Sequence, residues 1–112
     1  RSDRLYLFEA PIDMLSFITL NPENWQEHSY VALCGVSDHA LLWMLEQDPA
    51  LQQVTLCLDN DKAGIEAARR IAKTLQEKGY SHVDTLLPSQ KDWNMELTDG
   101  AVPAQHEMTL TM

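Results

Sequence analysis

The chain has 112 residues, 45% of them hydrophobic and 22% charged, which suffices for one core but not two and predicts a single globular domain without repeats or low-complexity tracts. Asp and Glu outnumber Lys and Arg 17 to 8, a net charge of -9, so this chain alone is poorly suited to grip DNA, RNA or an anionic membrane. No apolar run reaches the roughly 18 residues of a membrane span, and "RSDRLYLFEA" lacks the form of a signal peptide, which makes the cytoplasm the expected location.

In chain order, Leu5 to Phe8 reads as strand one. Pro11 then opens helix one in "PIDMLSFITL", because its missing N–H is harmless in a first helical turn. "NPENWQEHS" reads as a loop, and Tyr30 to Gly35 as strand two. Ser37 or Asp38 can cap helix two in "HALLWMLEQD", where Trp43 with Leu41, Leu42 and Leu45 is expected to form core. Val54 to Leu58 is strand three. Helix three runs from about Lys62 to Lys78 with Gly79 as its stop, and puts Ile65, Ala68, Ile71, Ala72 and Leu75 on one face. His82 to Leu86 is strand four. After Leu97 no periodicity remains, so residues 1–97 read as the domain and 98–112 as a tail or connector.

Alternation of apolar strands with helices predicts an α/β fold with a Rossmann-like three-layer α/β/α arrangement around a parallel four-stranded sheet. Glu9 and the Asp59 and Asp61 pair can share a cation only if strands one and three are neighbours, which leaves strand two on the other side of strand one. The chain lacks an initiator Met and enters a strand at once, which gives the expectation that it is part of a longer protein. Cys34 and Cys57 fall inside expected strands without CxxC spacing and read as plain buried thiols.

Ligands of parallel sheets bind beyond the carboxyl ends of the strands. Those ends carry Glu9, then Gly35 with Ser37 and Asp38, then Asp59 and Asp61, then Asp92 in "KDWN". Charge directly after a buried apolar run is unfavourable unless a cation, a helix start or a reaction uses it. Two carboxylates two residues apart supply the hard oxygen ligands suited to Mg²⁺ or Mn²⁺, with room left for substrate phosphates, and Glu9 is a third ligand or a general base. Asp59 alone could instead cap helix three, and Asp92 could make a turn with Asn94. Gly35 and Ser37 could present backbone N–H groups to a phosphate or simply enter the helix tightly. Lys62, Arg69, Arg70 and Lys73 read as a solvated helix face. The four histidines are scattered without ligand spacing, and neither a Ser, His, Asp constellation nor a GxGxxG loop is present.

"LFEAPIDMLSF", "VALCGVS", "LCLDNDKAGIEAARRIA" and "KDWNMEL" together resemble the Toprim domain, the metal-binding catalytic module of bacterial primases, topoisomerases and related nucleases. The likeness extends from about Leu5 to Leu97 and is nearest to Toprim-like domains of primase-type proteins from mobile elements. It implies a metal site at Glu9, Asp59 and Asp61, with Asp13 matching an aspartate four residues after the glutamate in primase-like members. Asp13 would also sit well in a first helical turn for dipole reasons alone. Asp92 stands singly where primases often carry a paired acidic motif, and Ala10 where several members carry glycine.

The resemblance implies Mg²⁺-dependent or Mn²⁺-dependent nucleotidyl transfer on DNA or RNA, reached through neighbouring domains of a longer chain, with nucleotides as substrates and no membrane. A nuclease with the same acidic centre, or a non-catalytic assembly domain of a replication or transfer protein, are the other readings. A haloacid-dehalogenase-like phosphatase fits less well, because Ala63 stands where that pattern needs Thr or Val.

Overall fold

In the computed structural model the described residues are 3–34 and 38–99. Four parallel strands, β1 (Arg4–Phe8), β2 (Ser29–Ala32), β3 (Gln53–Leu56) and β4 (His82–Thr85), form one sheet in the order β2-β1-β3-β4. Leu5 is in register with both Ser29 and Val54, so β1 lies between β2 and β3 as expected. Helices α1 (Pro11–Leu20), α2 (His39–Gln47) and α3 (Lys62–Glu77) connect the strands, and residues 93–99 form a further helix.

Alternating side chains divide the core between the two faces of the sheet. Leu5, Leu7, Val54, Leu56 and Leu58 pack with Leu41 and Leu45 of α2 and Ala68, Ile71 and Leu75 of α3. Phe8 and Cys57 point to the opposite face and meet Phe17 of α1 and Trp93. α3 ends as its sequence predicts. Gly79 adopts φ 98, its N–H donates to the Gln76 carbonyl at 3.1 Å, and the Tyr80 N–H reaches back to Leu75 at 3.0 Å.

Several expectations need correction. Strand two stops at Ala32 rather than Gly35, because Cys34 turns into the left-handed region at φ 54 and is exposed instead of buried, although its N–H still donates to the Glu9 carbonyl at 2.9 Å. Gly35 and Ser37 lie outside the described residues, as does 100–112 of the expected tail. Trp43 is 63% exposed and is not core. Leu41 and Leu45, four apart, share the buried stripe of α2, and the residue midway between them points the other way. The expected loop after helix one contains a 3-10 turn at Trp25–Glu27.

Candidate metal centre

β1 and β3 are adjacent and parallel, so their carboxyl ends open on the same edge of the sheet, where Glu9 follows β1 directly and Asp59 stands three residues beyond β3. Glu9 is half-buried on the turn into α1. Ala10 cannot cap that helix through its side chain, and Pro11 begins it. Asp13, in the first turn of α1, is only 4% exposed. Its Oδ1 accepts the Asn94 backbone N–H at 3.2 Å. Burial pushes the Asp13 carboxyl above its ordinary range; the Asn94 hydrogen bond opposes this and the nearby charge of Asp92 adds to it.

Asp59 has the largest shift of any carboxylate described. Its carboxyl is pushed up to about 7, first by burial, then by the charges of Glu9 and Asp13, by a hydrogen bond with Glu9, and by Asp92. Each of these influences disfavours the charged form of Asp59. The Asp59 Oδ1 is buried and has no hydrogen-bond partner. Three of the other four expected site residues, Glu9, Asp13 and Asp92, therefore act on Asp59 at this edge.

Asp61 has a different placement. It is the N-cap of α3, in extended backbone at φ -142, with its Oδ1 accepting the Gly64 N–H at 2.7 Å. The capping role considered for Asp59 thus belongs to Asp61. Asp92 likewise receives the Met95 N–H at 2.8 Å and starts the 93–99 helix. The turn between Asp92 and Asn94 is the first turn of this helix. Among the described residues, no three His, Cys, Asp or Glu side chains stand close enough, as placed, to hold a metal ion.

Residues that the sequence did not single out hold this edge together. The Asn60 N–H donates to the Lys91 carbonyl at 2.6 Å and its side-chain amide to the Pro88 carbonyl at 3.0 Å, which ties the loop before Asp92 to the loop after Asp59. The Trp93 indole N–H donates to the Cys57 carbonyl at 3.1 Å, and its ring meets Phe17 edge-on at 4.9 Å. The Ser16 hydroxyl donates to the Ile12 carbonyl at 2.7 Å and lies 3.3 Å from Asn94 Oδ1. The available signal was a lone Trp in the polar segment "KDWN". A Trp at such a place either docks or exposes an unfavourable surface.

The donor chemistry of the edge suits a hard divalent cation: carboxylates only, one of them with an orphaned buried oxygen and a carboxyl pushed well above its ordinary range. No helix among the described residues is long and apolar enough to cross a membrane.

Comparison with known proteins identifies the family. Residues 6–97 match the family described as Toprim-like. The uncharacterized protein MG010 of Mycoplasma genitalium is 27% identical over 97 residues, covering 84% of this chain and 41% of that protein. Its homolog in Mycoplasma pneumoniae, also uncharacterized, is 32% identical over 94 residues, covering 83% of this chain and 42% of that protein. The chain thus spans about two fifths of the length of these curated relatives. No solved structure matches. With the family match covering most of the chain, and a parallel sheet that brings Glu9 and Asp59 to one edge, the chain belongs to the Toprim-like family.

Proposed function

We propose that this domain is the Mg²⁺ or Mn²⁺ centre of an enzyme that transfers phosphoryl groups on nucleic acid, acting as a primase-like nucleotidyltransferase within a longer protein. The observation that carries this reading is the state of Asp59: a carboxyl raised to about 7 by burial and by Glu9, Asp13 and Asp92, with one buried oxygen unpartnered. Such a cluster is electrostatically unfavourable by itself and is relieved by a cation.

In this reading Glu9, Asp59 and Asp92 would converge to hold the metal, Asp61 would contribute the carboxylate oxygen not used in capping α3, and Asp13 would support the cluster from α1. A bound divalent ion would supply charge stabilisation for the phosphoryl group and the attacking oxygen. A bound ion would displace the proton that Asp59 holds, and Glu9 would be placed to accept a proton from an attacking hydroxyl. Lys62, exposed at the start of α3, lies on the same side as the strand ends and can meet a phosphate.

Nucleic acid is engaged through neighbouring domains, because a chain of net charge -9 releases few counterions. Titration of Mn²⁺ into the chain, followed by paramagnetic broadening of carboxylate-adjacent resonances, tests the centre. Saturable broadening around Glu9 and Asp59 that Asp59→Asn abolishes is the expected result, and broadening spread evenly over the acidic surface overturns it. Anisotropy with single-stranded DNA is expected to show no tight binding at physiological salt. Tight, salt-sensitive binding would overturn the division of labour.

A further inference from the structure

Three successive residues at the start of the 93–99 helix have three separate attachments. Asp92 caps the helix and acts electrostatically on Asp59. Trp93, 4% exposed, fills the core beside Phe8, Phe17 and Cys57 and bonds to the Cys57 carbonyl. Asn94 turns its backbone N–H toward Asp13.

That N–H belongs to the first helical turn, where backbone donors have no partner inside the helix. Asp13 supplies one from a different element. It also occupies the first turn of α1, so its charge lies at the positive ends of two helices at once. The pairing is enclosed: Asp13 is 4% and Ser16 2% exposed, and Ser16 sets its hydroxyl 3.3 Å from the Asn94 side chain. One oxygen of a carboxylate so buried is therefore already committed to the backbone of the helix that bears Asp92.

We propose that Asp13 is a positioning residue: its carboxylate anchors the first turn of the 93–99 helix to α1 through the Asn94 N–H, and so fixes Asp92 opposite Asp59. The importance of Asp92 for metal binding rests on the function proposed above, whereas the anchoring itself does not. Asparagine at position 13 retains an Oδ1 acceptor and alanine does not, which separates anchoring from ligation.

The test uses the whole chain with Trp25→Phe and Trp43→Phe, so that Trp93 is its sole indole. Without metal, Asp13→Ala is expected to expose Trp93 to iodide quenching and to speed amide exchange across 93–99 by about tenfold or more, as loss of a hydrogen bond to a charged group implies. Asp13→Asn is expected to leave both near the parent values. Mn²⁺ affinity is expected to fall about tenfold or more in Asp13→Ala and by less than about threefold in Asp13→Asn, the difference being the anchoring bond.

Should circular dichroism show Asp13→Ala to be unfolded, Asn94→Pro removes the donor from the other side and has the same expected result. Unchanged quenching and exchange in the folded Asp13→Ala or Asn94→Pro variant overturns the anchor. Loss of Mn²⁺ affinity in Asp13→Asn equal to that in Asp59→Asn, with Trp93 still protected, overturns the positioning role in favour of direct ligation. If the parent chain fails to bind Mn²⁺ at all, the metal-centre reading falls, and the two metal-free measurements still decide the anchor.

Discussion

Gly64 lies so close to Asp59 that a Cβ on Gly64 would stand 2.1 Å from the Asp59 carbonyl oxygen and 3.0 Å from its nitrogen. In most exposed helix positions Gly→Ala is stabilising by roughly 0.5–1 kcal/mol. Here the rigid backbone of the strand end cannot yield cheaply. Gly64→Ala is therefore expected to lose about 1–3 kcal/mol through overpacking, read as a lower urea midpoint. A neutral or stabilising result would mean that α3 is free to shift away from Asp59.

The acidic edge gives the metal-free chain a pH-dependent stability. Asp59 titrates near its ordinary 3.8 when unfolded and at about 7 when folded, chiefly through burial and then Glu9. A raised folded value means that the native state holds a proton which the unfolded chain has released. This stabilising contribution is complete below about 4 and is lost as pH rises toward 7. Urea midpoints across that window should fall for the wild type and flatten for Asp59→Asn, which should equal or exceed the wild type in stability at neutral pH. A large loss in Asp59→Asn would instead identify a structural hydrogen-bonding role.

The two indoles at positions 43 and 93 should respond in opposite ways to truncation. Trp93→Ala opens a cavity among Phe8, Phe17 and Cys57 and should cost on the order of 3–5 kcal/mol. Trp43→Ala touches an exposed site and should stay within about 0.5 kcal/mol. Thermal melts of both variants check this, and comparable losses would contradict the exposure of Trp43.

Thiol labelling separates the cysteines. Cys34 is exposed, whereas burial pushes the Cys57 thiol up to about 12. An aromatic disulfide reagent at pH 8 should modify one thiol quickly and the second only on unfolding. Because the folded Cys57 value is raised from 9, its contribution to stability is present below 9 and is lost as pH rises toward 12. Rapid labelling of both thiols in native buffer would show that the Phe17 and Trp93 side of the sheet opens readily.

Much of this architecture was legible because the strands are short apolar runs that end in charge. Glu9 and Asp59 announced the strand ends, and the need for them to meet correctly ordered β2, β1 and β3. Gly79 marked the end of α3. Trp43 misled because hydrophobicity alone does not say which side of a nine-residue helix faces inward when apolar residues occur nearly all round it. Cys34 misled because the left-handed residue is the cysteine itself, a conformation its residue type does not signal. The division between Asp59 and Asp61 was open in sequence, since either can cap a helix. It is decided by which carboxylate reaches the Gly64 N–H. The 93–99 helix was hidden because its stability comes from contacts with residues far away in the chain.

Those distant contacts also govern the order in which the edge can form. Asp13 and Asn94 are 81 residues apart, and β1 must wait for β3 before its second neighbour exists. Closing such long loops precedes any reward from the contacts they bring, which slows folding relative to locally wired helical domains. On a ribosome, the strands and their outer helices can assemble while the final segment is still inside the exit tunnel. Asp92 cannot join Asp59 until Trp93 has emerged and docked, so the acidic centre matures after the sheet, and truncation before residue 93 should leave a collapsed sheet with Asp92 undocked.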